Sequence, residues 1–260
     1  ATAPVCARAL APYLTTIGKK WYFITASYAY GQDMHRSMEA LLQEAGGTVV
    51  GADETPIGTV DFSSFMLKIR QSNPDVVFAG VPAADLSNFL KQYNEIGFKG
   101  KIPLASLGVA TSDMWAVGND VLTGIYTTQW YYNDPSNSAD EKEFTSAFLT
   151  KYGKPPADGA WMGWASMKLL LGAIEGAKST DAAAIVHALE SSRVNDATMP
   201  YHIRPWDHQV LRRFLVVGIN DKPADKWDCF KVLNHVPAQE SDLDSLFGSK
   251  EEVACKMDEL

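Results

Sequence analysis

The chain has 260 residues, of which 46% are hydrophobic, and carries a formal net charge of −8 at neutral pH. This length and apolar content suffice for one large domain or for two lobes. Because Lys and Arg are scattered along an acidic chain, the composition argues against nucleic acids and anionic membranes as partners.

The first half of the chain alternates short apolar runs with amphipathic segments. The runs are rich in β-branched and aromatic residues, and the segments repeat their apolar residues at helical spacing. This alternation is typical of an α/β fold with a parallel sheet buried on both faces. The predicted strands are 21–25, 48–52, 76–80 and 103–106, and the predicted helices are 5–17, 33–45, 61–72, 85–96 and 113–118.

Ligands of such sheets bind beyond the carboxyl ends of the strands. The sequence therefore directs the search for a site to three loops, at residues 26–31, 81–85 and 106–111.

The second half of the chain is predicted to be mostly helical before it returns to strand. Asn133, Asp134 and Pro135 end a predicted strand, and a crossing between lobes is expected there. Lys168, Glu175 and several glycines interrupt the most apolar helix, which argues against a membrane span. The predicted strands are 124–132, 213–219 and 229–232, the predicted helices are 141–152, 158–177 and 181–191, and residues 239–260 are predicted to be irregular.

The sequence lacks the local motifs that carry common catalytic chemistry. It contains no GxSxG, Walker A, HExxH or GxGxxG motif and no CxxC pair, so no enzyme, cofactor or metal site is expected. His202 and His208 flank a Trp-Asp pair, but their spacing fits one face of neither a helix nor a strand, so a solvated turn is favoured over a site. The cysteines allow two interpretations: three reduced thiols, or a bond between Cys229 and Cys255 in an oxidising compartment.

A series of stretches occurs in a characteristic order along the chain. These are Gly18–Gly31, Gly46–Gly51, Asp61–Phe65, Asn73–Val77, Gly124–Tyr126, the hydrophobic helix around Trp161, Trp206–Gln209 and Lys226–Val232. Together they resemble the type I periplasmic binding proteins, which are the substrate-binding subunits of branched-chain-amino-acid ABC importers. The resemblance covers nearly the whole chain, and the last two stretches are similar to the subgroup that takes up aromatic acids. It implies two Rossmann-like lobes with parallel sheets, a periplasmic location and ABC permease subunits as partners.

The resemblance also implies a domain organisation. Residues 1–130 would form the second lobe, 131–200 helices of the first lobe, and 201–260 a return crossing and a C-terminal tail. Family members carry further βα units before the position of Ala1, so the first lobe is expected to be incomplete here. A missing N-terminal segment or a partner chain would complete it. The chain starts without Met, as a processed mature protein does, and export of the family favours the Cys229–Cys255 bond.

By resemblance, the ligand lies between the lobes, and unit-by-unit matching assigns contacts to the second lobe. Tyr30 matches the family's stacking tyrosine, and Tyr28 lies on the same side by strand-like alternation. Ala83, which follows Pro82, matches a position where family members often have a bulky contact residue, so a small residue there widens the cleft.

Two further positions bear on the choice of ligand. Leu107 matches the carboxylate that holds the ammonium group in amino-acid binders, and an uncompensated buried ammonium is costly. Asp85 is expected to cap a helix, with a hydrogen bond to a ligand hydroxyl as the alternative. The prediction is an aromatic or apolar carboxylic acid; a branched-chain amino acid or amide binder, and a sensory domain of a regulator or receptor, stay open.

Overall fold

The computed structural model describes residues 2–194 and 199–257, and these divide into two compact units. Unit 1 comprises residues 1–128 and 215–234, and unit 2 comprises residues 129–214 and 235–260. The C-terminal stretch 201–260, predicted as one return crossing and tail, therefore contributes to both units.

Unit 1 is built on a seven-stranded sheet with the strand order β10-β9-β5-β4-β3-β1-β2. Strands β1 to β5 are parallel to their neighbours, and β9 is antiparallel to β5. The α/β fold predicted from the alternating pattern is confirmed. The strands are β1 Lys20–Ala26, β2 Thr48–Thr55, β3 Val76–Gly80, β4 Leu104–Ser106, β5 Ile125–Thr128, β9 Phe214–Ile219 and β10 Phe230–Val236.

Five helices cover this sheet, each following the amphipathic pattern of its sequence. Their buried residues recur at helical spacing, as Met34, Met38 and Leu42 do in α2. Helix α3 begins two residues later than predicted: Asp61 accepts a hydrogen bond from the Ser63 N–H at 2.9 Å, and Phe62 is the N-cap. The helices are α1 Ala3–Ile17, α2 Ala29–Glu44, α3 Ser63–Ser72, α4 Ala83–Glu95 and α5 Thr111–Val117.

Unit 2 is mainly helical, with a small three-stranded antiparallel sheet in the order β6-β7-β8. Its aromatic core centres on Trp130 and Trp161, whose rings stack at 5.8 Å. The sequence-based interpretation did not include this sheet. The elements are α6 Ala139–Tyr152, α7 Asp158–Ala177, α8 Ala182–Glu190, β6 Arg193–Val194, β7 Tyr201–Arg204, β8 Gln209–Leu211, a 3-10 turn Glu240–Asp242, α9 Leu243–Phe247 and α10 Lys250–Val253.

Side-chain hydrogen bonds explain two local errors of the sequence-based interpretation. The strand predicted over 124–132 ends at Thr128, because the carbonyls beyond it bind side chains of unit 2: Asn137 donates to Tyr131 O at 2.9 Å. The segment around His202 and His208 is a hairpin rather than an isolated turn. Across its turn, Arg204 Nη2 lies 2.7 Å from Asp207 Oδ2 and forms an ion pair with it.

The C-terminal residues were expected to be irregular, but they form short helices. Leu243, Leu246 and Phe247 are buried in unit 2, and Ser249 caps α10. Burial of an apolar face stabilises such short helices more than their intrinsic propensity does.

The cysteines are free thiols, contrary to the expected Cys229–Cys255 bond. Cys229 is buried in unit 1, whereas Cys255 is half-buried after the last helix of unit 2. Proximity in sequence did not bring these two residues into one compact unit. Burial raises the pKa of the Cys229 thiol to about 12, so this sulfur is a structural rather than a reactive group.

Across the described ranges, none of the helices combines the length and the apolar character needed to cross a bilayer. Nor do the described residues contain a group of three or more His, Cys, Asp or Glu side chains arranged to hold a metal ion.

Candidate functional site

A small cavity lies within unit 1, where β3 and β4 pass into the helices that follow them. Its volume is about 110 Å³. All three loops to which the sequence directed the search contribute to its walls. The lining residues are Tyr30, Val81, Ala83, Leu86, Ser106, Leu107, Gly108, Val109, Ala110, Asp113 and Met114.

The first turn of α2 brings Tyr30 to this cavity, and the next residue, Gly31, packs tightly against the end of β1. A Cβ atom on Gly31 would lie 2.2 Å from the backbone oxygen of Ala26, so only glycine fits there. Tyr28 and Tyr30 stack with ring centroids 5.9 Å apart and an interplanar angle of 20°. Tyr28 occupies the N-cap position of α2, makes no side-chain capping hydrogen bond and is not among the lining residues.

The two tyrosine rings remain accessible. Tyr28 is 37% exposed and Tyr30 is 41% exposed. Even so, partial burial of the hydroxyl, with added repulsion from Tyr28 and Cys6, raises the pKa of Tyr30 to about 12. The Tyr30 hydroxyl therefore stays protonated and can donate a hydrogen bond at physiological pH.

The start of α4 brings Ala83 to the cavity wall but directs Asp85 elsewhere. Pro82 is the N-cap, and Ala83 is the first helical residue. The buried Asp85 carboxylate accepts a hydrogen bond from the Gly58 N–H at 3.0 Å. Asp85 thus anchors the β2–α3 loop, and neither it nor Pro82 is among the lining residues. The expectation that Asp85 caps α4 was wrong: Pro82 is the N-cap, and the hydrogen-bond partner of Asp85 is a backbone N–H that is remote in sequence.

The loop after β4 forms another part of the wall. Leu107 is 1% exposed, and the Gly108 N–H donates to Thr127 Oγ1 at 2.9 Å, which ties the loop to β5. Gly108 has a φ of 59°, a left-handed conformation that glycine adopts without strain.

The structure therefore brings together Tyr30, Ala83 and Leu107 from the predicted set and leaves out Tyr28, Pro82 and Asp85. Two polar residues in the wall were not predicted as ligand contacts: Ser106, the last residue of β4, and Asp113 in the first turn of α5. The position of Ser106 at a strand end and of Asp113 in the first turn of the following helix was the available signal, but periodicity does not show which side chain turns inward.

Electrostatically, the wall is almost neutral. Of the described lining residues, Asp113 alone is charged at neutral pH, and neither Lys nor Arg is among them. The cavity suits an uncharged, largely apolar group with one or two polar substituents.

Comparison with known proteins identifies the family. Residues 1–224 match the family model described as periplasmic binding protein. Leu/Ile/Val-binding protein homolog 7 of Brucella abortus is 34% identical over 174 residues, which are 63% of this chain and 42% of that protein. The chain thus spans less than half the length of this relative.

Solved structures agree with the fold. A periplasmic ligand-binding protein of a branched-chain amino acid ABC transporter from Burkholderia xenovorans superposes with a TM-score of 0.83 at 23% identity, covering 96% of this chain and 66% of that one. A solute-binding protein from R. palustris, solved in complex with 4-hydroxybenzoate, gives a TM-score of 0.76 at 22% identity. The superposition covers 90% of this chain and 65% of that one. With the family match over residues 1–224, these likenesses lead to one conclusion: the chain belongs to the periplasmic binding protein family.

Proposed function

We propose that the intact protein is the extracytoplasmic solute-binding subunit of an ABC importer, and that it binds a small organic acid with an aromatic or otherwise apolar body. Binding rather than catalysis is its role in this proposal, and its partners are the ligand and the permease subunits. The membership of the family supports the general role, and the chemistry of the unit 1 cavity supports the ligand class.

The composition of the cavity wall is the observation that supports an aromatic or apolar acid as the ligand. The buried Leu107 stands where, by the family resemblance, amino-acid binders place a carboxylate, and the lining includes an exposed aromatic ring, Tyr30. The small side chain of Ala83 leaves room beside it. Burying one face of an aromatic ring at about 25 cal/mol per Å² supplies a few kcal/mol of binding free energy.

A second candidate function is the binding of a branched-chain amino acid or its amide. The Brucella relative is named a Leu/Ile/Val-binding protein homolog. Asp113 lines the cavity and supplies a carboxylate that an ammonium group requires. An amino-acid ligand would then pair with Asp113 instead of with a residue at position 107.

We further propose that a segment of the intact protein, or a partner chain, covers helices α6 and α7. Several apolar side chains on these helices are about half exposed: Leu149, Tyr152, Met167 and Leu171. Together with the partial coverage of its relatives, this exposure supports an additional segment of the intact protein, or a partner chain, that completes unit 2.

Isothermal titration calorimetry of the intact protein with benzoate, 4-hydroxybenzoate, leucine and leucinamide tests the ligand class. We expect heat only with the aromatic acids. Binding of leucine without a response to either benzoate would contradict the aromatic-acid proposal and favour the second candidate. A leucine response that Asp113→Asn abolishes would assign the ammonium contact.

A further inference from the structure

The side chain of Ser106 lines the cavity wall, and its hydroxyl group makes no hydrogen bond to the described residues. Ser106 is 2% exposed and ends strand β4, where its backbone is in register with Tyr126 of β5. Within the described ranges, the side chain of Ser106 makes none of the hydrogen bonds of the structure, whereas Thr127 on the adjacent strand accepts one from Gly108. The hydroxyl group of Ser106 therefore has an unused donor and an unused acceptor that face the cavity.

The position of Ser106 makes that hydroxyl available to a ligand. Ser106 lines the same cavity as Tyr30, Ala83 and Leu107, whose contributions are otherwise mainly apolar. A polar group in a mainly apolar wall discriminates between ligands, because a ligand that lacks the matching group covers the hydroxyl and leaves it unpaired.

The charge and size of the cavity indicate which end of an acid enters it. Because Asp113 is the only charged lining residue within the described ranges, a carboxylate entering here would meet a like charge and lack a basic partner. The cavity, at about 110 Å³, is also smaller than the roughly 150 Å³ cavity that accommodates benzene in another protein. It therefore suits the uncharged edge of a ring rather than a whole ligand.

We propose that Ser106 is a specificity-determining residue that hydrogen-bonds a ring hydroxyl, so that the preferred ligand is a hydroxylated aromatic acid entering with its hydroxyl first. This inference rests on the proposed function and narrows its ligand class. The carboxylate of the acid then lies at the end of the ligand that points away from the cavity.

The test compares benzoate with 3-hydroxybenzoate and 4-hydroxybenzoate on the intact protein by calorimetry. We expect the wild-type protein to bind at least one hydroxylated acid about tenfold more tightly than benzoate, and Ser106→Ala to bring the two affinities within about threefold. Ser106→Thr, which keeps the hydroxyl, should retain part of the preference. Ser64→Ala, at an exposed position of α3, is the matched control.

Benzoate binding serves as the internal check of folding, because it does not need the hydroxyl contact. Equal wild-type affinities for benzoate and both hydroxylated acids overturn the inference but leave the proposed function standing. An undiminished preference in Ser106→Ala also overturns it. If none of the aromatic acids binds the wild-type protein, the aromatic-acid function fails, and the inference fails with it.

Discussion

At the residue scale, the cavity depends on side chains that combine an apolar surface with one polar group. Tyr30 offers a half-exposed ring, and the raised pKa of its hydroxyl keeps that group a donor. Leu107 contributes only apolar surface, and the Asp85 carboxylate accepts a hydrogen bond from Gly58 in a neighbouring loop. Carboxylates in the first turn of a helix are thus not equivalent: the buried Asp85, which has a backbone partner, stabilises the fold.

Replacing Tyr30 tests the stacking role. Tyr30→Ala should weaken the binding of an aromatic acid about tenfold or more, since it removes both buried area and a ring contact worth roughly 0.5–1.5 kcal/mol beyond that area. Tyr30→Phe keeps the ring and should lose much less. Calorimetry on the intact protein measures both, and equal losses in the two variants would show that the hydroxyl, not the ring, makes the contact.

At the element scale, the first turn of α2 and the middle of α7 differ in whether a glycine there can be replaced by a larger residue. Gly31 has no room for a Cβ atom because the backbone of Ala26 lies against it. Gly172, in the middle of α7, faces open space within the described part of the chain and has helical neighbours. One glycine is required by packing, and the other only weakens its helix.

We therefore expect Gly31→Ala to lower the free energy of unfolding by about 1–3 kcal/mol or more, because the backbone must shift to admit the methyl group. Gly172→Ala should raise it by roughly 0.5–1 kcal/mol through helix propensity. Urea denaturation of the 260-residue chain measures both changes. A destabilising Gly172→Ala would indicate that another surface packs against α7.

A polar network joins three segments of unit 2. Asp134 accepts hydrogen bonds from Ser136 Oγ at 2.8 Å and from His235 Nε2 at 2.8 Å, and Arg213 donates to Ser136 Oγ at 2.8 Å. Burial by itself raises the pKa of Asp134, but the hydrogen bonds from Ser136 and His235 outweigh it and hold the pKa below its ordinary value. The ionised carboxylate therefore stabilises unit 2.

The sign of the resulting pH dependence follows from linkage. Because the pKa of Asp134 is lower in the folded than in the unfolded chain, its contribution is complete above the unfolded value of about 3.9 and is lost as the pH falls through the folded value. Asp134→Asn should lower the free energy of unfolding at pH 7 by about 1–3 kcal/mol. The difference from the wild-type protein should shrink below about pH 4.

Denaturation curves between neutral and acidic pH measure this effect. Glu143→Gln, at an exposed site on α6, is the control for removing a carboxylate and should leave stability nearly unchanged. A difference between Asp134→Asn and the wild-type protein that stays constant with pH would contradict the linkage.

At the scale of the whole molecule, units 1 and 2 differ in how completely their helices are covered. Unit 1 surrounds its sheet with helices whose apolar faces are buried, as in α2 and α4. In unit 2, Met167 and Leu171 of α7 are 52% and 53% exposed. Exposed side chains at helical spacing form a continuous apolar stripe, which soluble proteins usually cover.

We expect the isolated 260-residue chain to bind a hydrophobic fluorescent dye through this stripe. Changing Met167 and Leu171 together to Lys should reduce the dye fluorescence severalfold without altering the binding of ligand by unit 1. An intact protein that carries the covering segment should show little dye binding. Unchanged fluorescence in the double variant would place the dye elsewhere and remove the stripe as a docking surface.

The sequence by itself determined the α/β class, most of the helices and strands of unit 1, and the three loops that line its cavity. Those features follow from local periodicity and from the rule that ligands bind at the carboxyl ends of parallel strands. The resemblance of ordered stretches to the periplasmic binding proteins was confirmed by the family match.

Only the tertiary structure decided which side chains turn into the cavity. It likewise decided that Asp85 accepts a hydrogen bond from Gly58 and that Cys229 and Cys255 are free thiols. It also decided that strand β5 ends at Thr128 and that residues 201–211 form a hairpin. Each of these outcomes depends on a hydrogen-bond partner or a neighbour that is distant in sequence. Hydrophobic periodicity reports which face of an element is buried, but it carries no information on such remote partners.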